Sequence, residues 1–320
     1  MVSVGNLTVG GTGKTPAVVM LAEWALDQGH RVSILSRGYG GRNRQEILEV
    51  SDGKGKYADA RMAGDEPSLL ARAVPGSPVL ISRDRYRAGI YGHRKFGSDL
   101  FILDDGFQHR KLQRDLDLIL IDAKDPFGNG HLLPWGPLRE PLSQLSRADA
   151  FILTRFRRAQ GAKHGHLIRH MPASENTLVF VKEQFPSIPV FCADHAPNRV
   201  VFPTTDEAHH PGFLRKKSVV AFAGIAHPEC FKETLIELGA DVIRFRSFRD
   251  HYLYQREDTD ELIRMKEKTG ADYLLTTEKD WMRIAPAALR YRDLAYLSIR
   301  FRLLPGHEGL LRIISDGLRK

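Results

Sequence analysis

A lysine and a threonine end a glycine-rich stretch near the start of the chain, and residues of these types can hold a phosphate group. The stretch consists of Val9, Gly10, Gly11, Thr12, Gly13, Lys14, Thr15 and Pro16. In such a loop the backbone N–H groups surround phosphate oxygens, the lysine reaches the β- and γ-phosphates, and the hydroxyl group binds Mg²⁺. The stretch therefore predicts a nucleoside triphosphate site, with Lys14 as its cation and Thr15 as a metal ligand.

The loop departs in one position from the usual spacing of phosphate-binding loops. Thr8 stands where the first glycine of the G-x-x-x-x-G-K-[ST] pattern is expected, so Gly10 and Gly11 must supply the flexibility. The alternative interpretation is an ordinary glycine-rich turn in front of a helix.

The flanking residues predict a strand before the loop and a helix after it. Residues 2–6 are short and mostly apolar, as in a buried strand. Apolar residues then recur at helical spacing up to Gly29, which is suited to end a helix. These residues are Ala17, Val18, Leu21, Ala22 and Ala25. The order of strand, glycine-rich turn and helix directs a helix N-terminus at the bound anion.

A pair of acidic residues follows another apolar run. Asp104 and Asp105 come at the end of residues 99–103, which read as a buried strand. A carboxylate at the carboxyl end of a parallel strand can hold Mg²⁺ or its waters beside the loop. Gln108 and His109 lie on the same turn and could line the site or serve only the structure. The Asp-Asp pair and the loop together predict a protein that uses ATP or GTP.

Further apolar runs at residues 31–36, 79–81, 116–121 and 150–153 alternate with helical segments. This alternation predicts an α/β fold with a mostly parallel sheet, like that of P-loop NTPases. Prolines punctuate the stretch from about residue 184 to residue 217, after which a second α/β pattern begins. We therefore expect a P-loop NTPase-like domain over 1–183, an extended inter-domain linker over 184–217 and a second, smaller α/β domain over 218–320.

The chain has 320 residues, with 47 Lys and Arg against 39 Asp and Glu, which gives a net charge of +8. This charge favours a polyanionic partner, and basic residues cluster over 83–95 and 155–169. Solvated helix faces explain such clusters equally well, and aromatic residues suited to base stacking are scarce there. The chain has only two cysteines, and we find neither an apolar run long enough to span a bilayer nor a signal peptide in its sequence. These features favour a cytoplasmic protein.

No Asn-Lys-x-Asp motif for guanine is present, so ATP is the expected nucleotide. From the residues alone the chain is an NTP-dependent enzyme with an unknown acceptor. Two rivals stay open at this point, namely an NTPase that acts as a conformational switch and a nucleic-acid-stimulated ATPase. The nucleic-acid alternative is supported only by the basic net charge.

Several separate motifs make the chain resemble the tetraacyldisaccharide 4′-kinases, the lipid A 4′-kinases of Gram-negative bacteria. In that family the loop itself carries a threonine at the position of Thr8. The motifs lie in order along nearly the whole chain, at residues 3–16, 36–40, 64–67, 104–110, 138–142, 222–228, 250–251 and 276–280. The Asp-Asp-Gly-Phe-Gln-His and Thr-Thr-Glu-Lys-Asp motifs are more specific than the loop.

The resemblance implies that ATP phosphorylates the 4′-hydroxyl of an acylated glucosamine disaccharide 1-phosphate, giving lipid IVA. It assigns Asp65 as the group that accepts the hydroxyl proton, paired with His251, and Arg139 as a contact of the phosphates or the transition state. Mg²⁺ is expected at Thr15 and Glu140, with Asp104 and Asp105 as direct or water-mediated ligands. If Asp65 and His251 meet, the site lies between the domains and closure must assemble it.

The resemblance also implies a peripheral position at the cytoplasmic face of the inner membrane, where the basic cluster at 83–95 would supply attraction. Neither a nucleic acid nor an obligate protein partner is expected. Family members usually have an N-terminal segment before the loop strand, whereas this sequence starts almost on that strand. That difference leaves the mode of membrane attachment open.

Structural alternatives exist for three of these assignments. Asp65 could simply cap the helix that Pro67 is expected to begin. His251 could be a structural loop histidine. Residues 276–280 could be a strand end and a helix cap rather than part of a site, and this is the interpretation we favour for that motif.

Overall fold

A computed structural model describes residues 1–38, 45–58, 60–156, 173–284 and 291–318. The chain forms two compact units, Met1–His195 with Phe301–Lys320, and Ala196–Arg300. Part of the 36–40 motif and most of the basic cluster at 155–169 lie outside the described residues. None of the described helices combines the length and the apolar character that crossing a membrane requires.

The strands and helices have the following bounds. The strands are β1 (Val2–Asn6), β2 (Val32–Ser36), β3 (Leu48–Ser51), β4 (Val79–Ile81), β5 (Leu100–Asp104), β6 (Leu116–Asp122), β7 (Ala150–Thr154), β8 (Val190–Phe202), β9 (Glu207–His209), β10 (Ser218–Ala223), β11 (Asp241–Ser247), β12 (Tyr273–Thr277) and β13 (Leu294–Leu303). The helices are α1 (Lys14–Asp27), α2 (Ala60–Ala63), α3 (Asp65–Ala73), α4 (Arg85–Phe96), α5 (Ala173–Gln184), α6 (Pro228–Glu237), α7 (Arg256–Thr269), α8 (Glu278–Trp281) and α9 (Glu308–Gly317). Short 3₁₀ helices span Leu142–Arg147 and Pro211–Leu214.

The first unit is built on a sheet with the strand order β8-β7-β6-β1-β5-β2-β4-β3. All neighbouring strands are parallel except β3, which pairs antiparallel with β4 at the edge. The central strands β1, β2 and β6 are buried along their whole length, which explains their nearly continuous apolar sequences. The predicted mostly parallel α/β fold is confirmed.

The second unit contains a smaller parallel sheet with the order β11-β10-β12-β13. The short strand β9 pairs antiparallel with the second half of β8. Two apolar clusters cover this sheet, one around Phe231 and Leu235 of α6 and the other around Leu262 and Ile263 of α7. The unit therefore has its own core, as an independent α/β unit requires.

The compact units have different bounds from the domains expected from the sequence. The stretch expected as a linker contains the long strand β8, whose prolines Pro197 and Pro203 lie within it or just beyond its end. The last residues of the chain belong to the first unit, because Leu310 and Ile314 of α9 are buried in its core. The prolines predicted an extended linker over 184–217, and the structure has part of that stretch paired as β8 with β7 and β9.

Candidate active site

The glycine-rich loop connects β1 to α1 as predicted, and its backbone is shaped by two glycines. Gly10 has φ +115° and Gly13, the residue before α1, has φ +88°. Residues other than glycine rarely adopt these φ values, so glycine is needed at both positions. Helix α1 has no side-chain cap and no acidic residue in its first turn. Its first N–H groups are thus available to an anion.

The side chain of His195, a residue of β8, packs closely against Gly13. A methyl group added at Gly13 would lie 2.2 Å from His195 Nε2. That nitrogen is buried and has no hydrogen-bond partner among the described residues. Burial, together with the nearby charge of Arg155, lowers the pKa of His195 to about 4, so the ring against the loop is neutral.

Contacts within the protein hold the ammonium group of Lys14 in a fixed position. Its Nζ donates a hydrogen bond to Asn6 Oδ1 at 2.9 Å and lies 3.5 Å from Asp105 Oδ1. Asn6 is itself oriented, because its Nδ2 donates to the Thr8 carbonyl oxygen at 2.7 Å. The ammonium group is therefore preorganised beside the start of α1, where the predicted phosphate would lie. Sequence reasoning quoted Asn6 only as part of a motif and missed this role.

Asp105 and Arg139 form an ion pair next to Lys14. Arg139 Nη1 lies 2.9 Å and 2.8 Å from the two carboxylate oxygens of Asp105. Burial raises the pKa of Asp105, but Lys14 and Arg139 outweigh it, so the net pKa is lowered and the carboxylate is charged. Asp105 has φ +55°, an unusual value for a non-glycine residue, which turns the chain sharply at the end of β5.

The segment that carries Arg139 and Glu140 is fastened to the phosphate-binding loop. The Arg139 N–H donates to the Leu7 carbonyl oxygen at 2.9 Å, and the Val9 N–H donates to the Pro137 carbonyl oxygen at 2.8 Å. Glu140 is paired with Arg147, whose guanidinium group lies 4.1 Å from the centre of the Phe107 ring. The structure thus brings together the loop and the motif at residues 138–142, which are far apart in sequence.

Asp104 ends β5 and differs from Asp105 in its environment. Its side chain is buried and accepts a hydrogen bond from Ser36 Oγ at 3.1 Å. Burial, and then the negative charges of Glu66 and Asp105, raise the pKa of Asp104 to about 7. A buried carboxylate with few donors is suited to a cation that replaces its proton.

Asp65 lies in the first turn of α3, which begins two residues earlier than Pro67 predicts. Gly64 is the N-cap residue, and the helix has no side-chain cap. The prediction that Pro67 is the first helical residue is therefore wrong, and Asp65 does not have the capping role that was its structural alternative. Its assignment as a proton acceptor stays a prediction.

A cavity of about 530 Å³ opens beside Asp105 and Arg139. Its lining residues are Arg37, Gly38, Arg83, Arg85, Asp105, Gln108, His109 and Arg139. Gln108 is tied to β1, because its Nε2 donates to the Asn6 carbonyl oxygen at 3.0 Å. Burial, and then Arg85 and Arg114, lower the pKa of His109, which keeps its ring neutral.

Sequence reasoning treated residues 83–95 as one exposed basic cluster, and the structure divides it. Arg85 is only 4% exposed, and its Nη2 lies 3.4 Å from the Asp105 carbonyl oxygen. Its Nε is buried without a hydrogen-bond partner among the described residues. The reason is position, because Arg85 begins α4 just after β4 and so points into the carboxyl edge of the sheet. Its place a few residues after a buried strand was the signal that could have indicated this.

The second unit holds its own polar cluster at the carboxyl ends of β10, β11 and β12. Asp280, which is completely buried, accepts hydrogen bonds from the Gly224 N–H at 3.0 Å and from Tyr254 Oη at 3.0 Å. Thr277 Oγ1 also donates to it, at 2.6 Å. His251, the other residue predicted to act in catalysis, lies in the loop after β11 and belongs to this unit, whereas Asp65 belongs to the first.

The predicted metal ligands supply a donor set that fits Mg²⁺ bound mainly through a nucleotide. Asp104 and Asp105 are adjacent carboxylates, and Thr15 is in the first turn of α1. Mg²⁺ commonly takes one or two carboxylates, with phosphates and waters filling its other positions. Within the described ranges no three His, Cys, Asp or Glu side chains are grouped closely enough to hold a metal by themselves. Glu140, in its ion pair with Arg147, stays a predicted ligand.

A loop between strand and helix, a fixed lysine and an acidic strand end define a nucleotide-binding α/β protein of the P-loop class. Comparisons with known proteins specify the family. The family model described as tetraacyldisaccharide-1-P 4′-kinase (LpxK) matches residues 1–319, and the chain belongs to this family.

Individual relatives agree with the family match over most of their length. The tetraacyldisaccharide 4′-kinase of Syntrophus aciditrophicus (strain SB) is 40% identical over 323 residues, covering 99% of this chain and 84% of the relative. That of Geobacter metallireducens is 42% identical over 291 residues, covering 91% and 80%. The crystal structure of LpxK from Aquifex aeolicus in complex with ATP is similar with a TM-score of 0.73 and 33% identity, covering 99% of this chain and 88% of that one.

Family membership confirms the resemblance drawn from the motifs and the prediction of a kinase of lipid A biosynthesis. The rival interpretations, a conformational switch and a nucleic-acid-stimulated ATPase, are not favoured. The roles of the individual site residues stay predictions.

Proposed function

We propose that this chain transfers the γ-phosphoryl group of ATP to the 4′-hydroxyl of a tetraacylated glucosamine disaccharide 1-phosphate. The observation that carries the proposal is the position of Lys14, fixed by Asn6 and Asp105 at the uncapped start of α1 and next to an arginine-lined cavity. Phosphoryl transfer depends mainly on positioning and on neutralising charge, and these residues supply both.

The nucleotide half of the site uses the loop of residues 9–16. Its backbone N–H groups and Lys14 would hold the β- and γ-phosphates, in line with the ATP complex of the Aquifex relative. A bound triphosphate would compete with Asp105 for the ammonium group. The ion pair of Asp105 with Arg139 keeps that carboxylate compensated when Lys14 turns to the phosphates.

Thr15, Asp104, Asp105 and Glu140 are the residues that would hold Mg²⁺. The cation supplies neutralisation of charge on the phosphate oxygens. The raised pKa of Asp104 means that this carboxylate is partly protonated near neutral pH without a cation. Metal binding at Asp104 would therefore release a proton.

Asp65 would accept the proton of the acceptor hydroxyl, with His251 as its partner in the reaction. In this step the hydroxyl O–H bond breaks, and its proton goes to the carboxylate while the oxygen forms a bond to the γ-phosphorus. The bond from that phosphorus to the bridging oxygen breaks, and the electron pair stays with ADP. A positioned carboxylate of this kind typically contributes about 10²- to 10⁴-fold to the rate.

The cavity fits an acceptor that carries negative charge. Arg37, Arg83, Arg85 and Arg139 line it, and among the residues that the structure describes Asp105 is the one acidic side chain in this lining. Guanidinium groups bind phosphate through two parallel hydrogen bonds. We propose a peripheral position at the inner-membrane surface for the same protein, because an acylated acceptor resides there and basic residues attract anionic lipids.

The test is transfer of label from [γ-³²P]ATP to the detergent-solubilised disaccharide 1-phosphate, followed by thin-layer chromatography. Parallel reactions contain DNA, RNA or no acceptor. A labelled lipid that depends on the disaccharide is expected. Release of inorganic phosphate stimulated by nucleic acid, with no labelled lipid, would contradict the proposal.

The roles of Asp65 and His251 are tested with Asp65→Asn, His251→Gln and the double variant. Each single change should lower kcat by about 10²-fold or more and leave ATP binding nearly unchanged. The double variant should lose less than the product of the single effects, because the two residues act as a unit. Multiplicative losses would show that they act separately.

A further inference from the structure

We infer that Arg283 and Asp280 set the tautomer of His251, so that its Nδ1 is an acceptor and its Nε2 carries the proton. Arg283 and Asp280 are then positioning residues for the reaction rather than parts of an ordinary structural motif. This inference rests on the proposed role of His251 in catalysis. It concerns only contacts inside the second unit.

The first step is the contact between the two side chains. Arg283 Nη2 lies 3.3 Å from His251 Nδ1. A guanidinium group has N–H donors and no acceptor, and it stays protonated in proteins. The ring nitrogen that faces it must therefore present its lone pair. In a neutral imidazole the proton is then on Nε2, which becomes the donor toward any carboxylate.

The second step is that Arg283 cannot easily turn away. Its side chain is buried, and its Nη1 donates to the Gly224 carbonyl oxygen at 2.8 Å and lies 3.4 Å from Asp280 Oδ1. Asp280 is fixed in turn by the Gly224 N–H, Tyr254 Oη and Thr277 Oγ1. The guanidinium group is thus held by a buried network in which both charges are compensated.

The third step is the strained backbone that brings His251 to this network. His251 has φ +57°, a left-handed conformation that non-glycine residues rarely adopt. Its N–H donates to the Gly224 carbonyl oxygen at 3.2 Å and to Asp250 Oδ1 at 2.9 Å. The same carbonyl oxygen therefore accepts from both His251 and Arg283. The Gly224 carbonyl oxygen therefore holds the His251 backbone and the Arg283 guanidinium group next to each other.

Glycine at position 224 is required for this arrangement. A methyl group there would lie 2.9 Å from Tyr254 Oη and 3.1 Å from Asp280 Oδ1. The Thr-Thr-Glu-Lys-Asp motif over 276–280 and the glycine after β10 therefore serve one network. The buried part of this network is the ion pair of Asp280 and Arg283, and the His251 ring that it orients is partly exposed.

The direct test needs no substitution in the network. Protein labelled with ¹⁵N in the histidine rings is studied by long-range ¹H–¹⁵N correlation at alkaline pH, above the range in which ordinary imidazoles titrate. His251→Gln identifies the His251 signals by their loss. We expect a pyridine-like Nδ1 and a pyrrole-like Nε2. A pyrrole-like Nδ1 would overturn the inference.

Two variants connect the tautomer to the reaction. Arg283→Lys keeps a charged donor near Nδ1, whereas Asp280→Asn with Arg283→Met removes both charges together, so that neither is left buried alone. We expect the double variant to contain a larger fraction of the Nδ1–H tautomer, seen as a less pyridine-like Nδ1, and to lower kcat at least about tenfold with an unchanged KM for ATP. Arg283→Lys should recover most of both properties.

A second buried ion pair controls for the general loss of stability. Arg114 Nη2 lies 2.9 Å from Asp117 Oδ2 in the first unit, and both side chains are largely buried. Asp117→Asn with Arg114→Met should lower the unfolding midpoint comparably and leave the His251 signals as they are. A kcat loss in the Asp280 and Arg283 variant with an unchanged His251 tautomer would overturn the inference. A changed tautomer with full kcat would instead remove His251 from the proposed mechanism.

Discussion

The two units place polar clusters at the same kind of location, the carboxyl ends of parallel strands, but the clusters differ in how their charges are satisfied. In the first unit Asp105 is 35% exposed at its side chain and faces an arginine-lined cavity. In the second unit Asp280 is completely buried, so its hydrogen bonds with the Gly224 N–H and Thr277 Oγ1 lie away from solvent. A sheet edge thus becomes a ligand site only where its charges retain capacity for a further partner.

The largest difference should appear on removing the lysine of the first cluster. We expect Lys14→Met to lower kcat by about 10²- to 10³-fold, because the charge that develops on the phosphates loses its fixed cation. The unfolding free energy should change little. Steady-state kinetics and urea unfolding check this, with the exposed Lys54→Met as the control. Retained turnover in Lys14→Met would show that the polar cluster of the first unit is not the phosphate site, and the proposed difference between the two clusters would then be wrong.

The second test compares an aspartate from each cluster by stability. Asp280→Ala should lower the free energy of unfolding by about 3–5 kcal/mol, because it leaves Arg283 buried without this carboxylate. Asp105→Ala should cost only about 1 kcal/mol, because its ion pair with Arg139 is partly exposed. Urea denaturation followed by circular dichroism measures both. A larger loss for Asp105→Ala would reverse our division into ligand site and structural network.

The third test concerns Gly10 and Gly13, the two glycines of the phosphate-binding loop that have a positive φ. Gly13→Ala should weaken ATP binding by at least about tenfold, because a left-handed residue costs about 1–2 kcal/mol and the new methyl group also meets His195. Gly10→Ala has only the backbone cost, since none of the described residues beyond its two chain neighbours has an atom within 4 Å of the added methyl group. Calorimetric titration with ATP compares them. Adding His195→Ala to Gly13→Ala should restore part of the affinity, and equal losses in both glycine variants would contradict this.

The smallest expected effect is a pH-dependent one in the second unit. Burial raises the pKa of Glu278 from 4.5 to about 7, so the folded state binds a proton that the unfolded state has released between these values. Stability is therefore lost as pH rises through this window. Glu278→Gln should gain about 1–2 kcal/mol near pH 8, after allowance for partial exposure, and nothing near pH 4. Unfolding curves at both pH values decide it.

For Asp105 we expect the opposite dependence of stability on pH, which sharpens the comparison between the two units. Its pKa is lowered in the folded state, so its contribution to stability is present above its ordinary pKa and is lost as pH falls. Asp105→Asn should therefore be less stable than the parent near neutral pH and equal to it in acid. A gain in stability at high pH for both Asp105→Asn and Glu278→Gln would show that the two edges do not differ electrostatically.

Local patterns were sufficient to locate the loop, the acidic strand end and the parallel sheet of the first unit. The apolar runs of β1, β5 and β6 identify buried strands, because burial on both faces leaves little room for polar residues. The basic run around Arg85 did not show its role, since an arginine in such a run looks the same whether it is solvated or buried, and only its place shortly after β4 indicates it. The same holds for Arg283, whose significance depends on its 3.3 Å contact with His251.

Sequence alone determined the class of chemistry, because Gly13, Lys14 and Thr15 act through local geometry, in which the turn, the helix start and the side chains are neighbours along the chain. Tertiary structure decided which distant residues complete that chemistry. Asp105 reaches Lys14 only because β1 and β5 pair in the sheet. Asp280 and Arg283 reach Gly224 only because β10 and β12 pair. Strand pairing is set by the burial of whole faces, and no short motif encodes it.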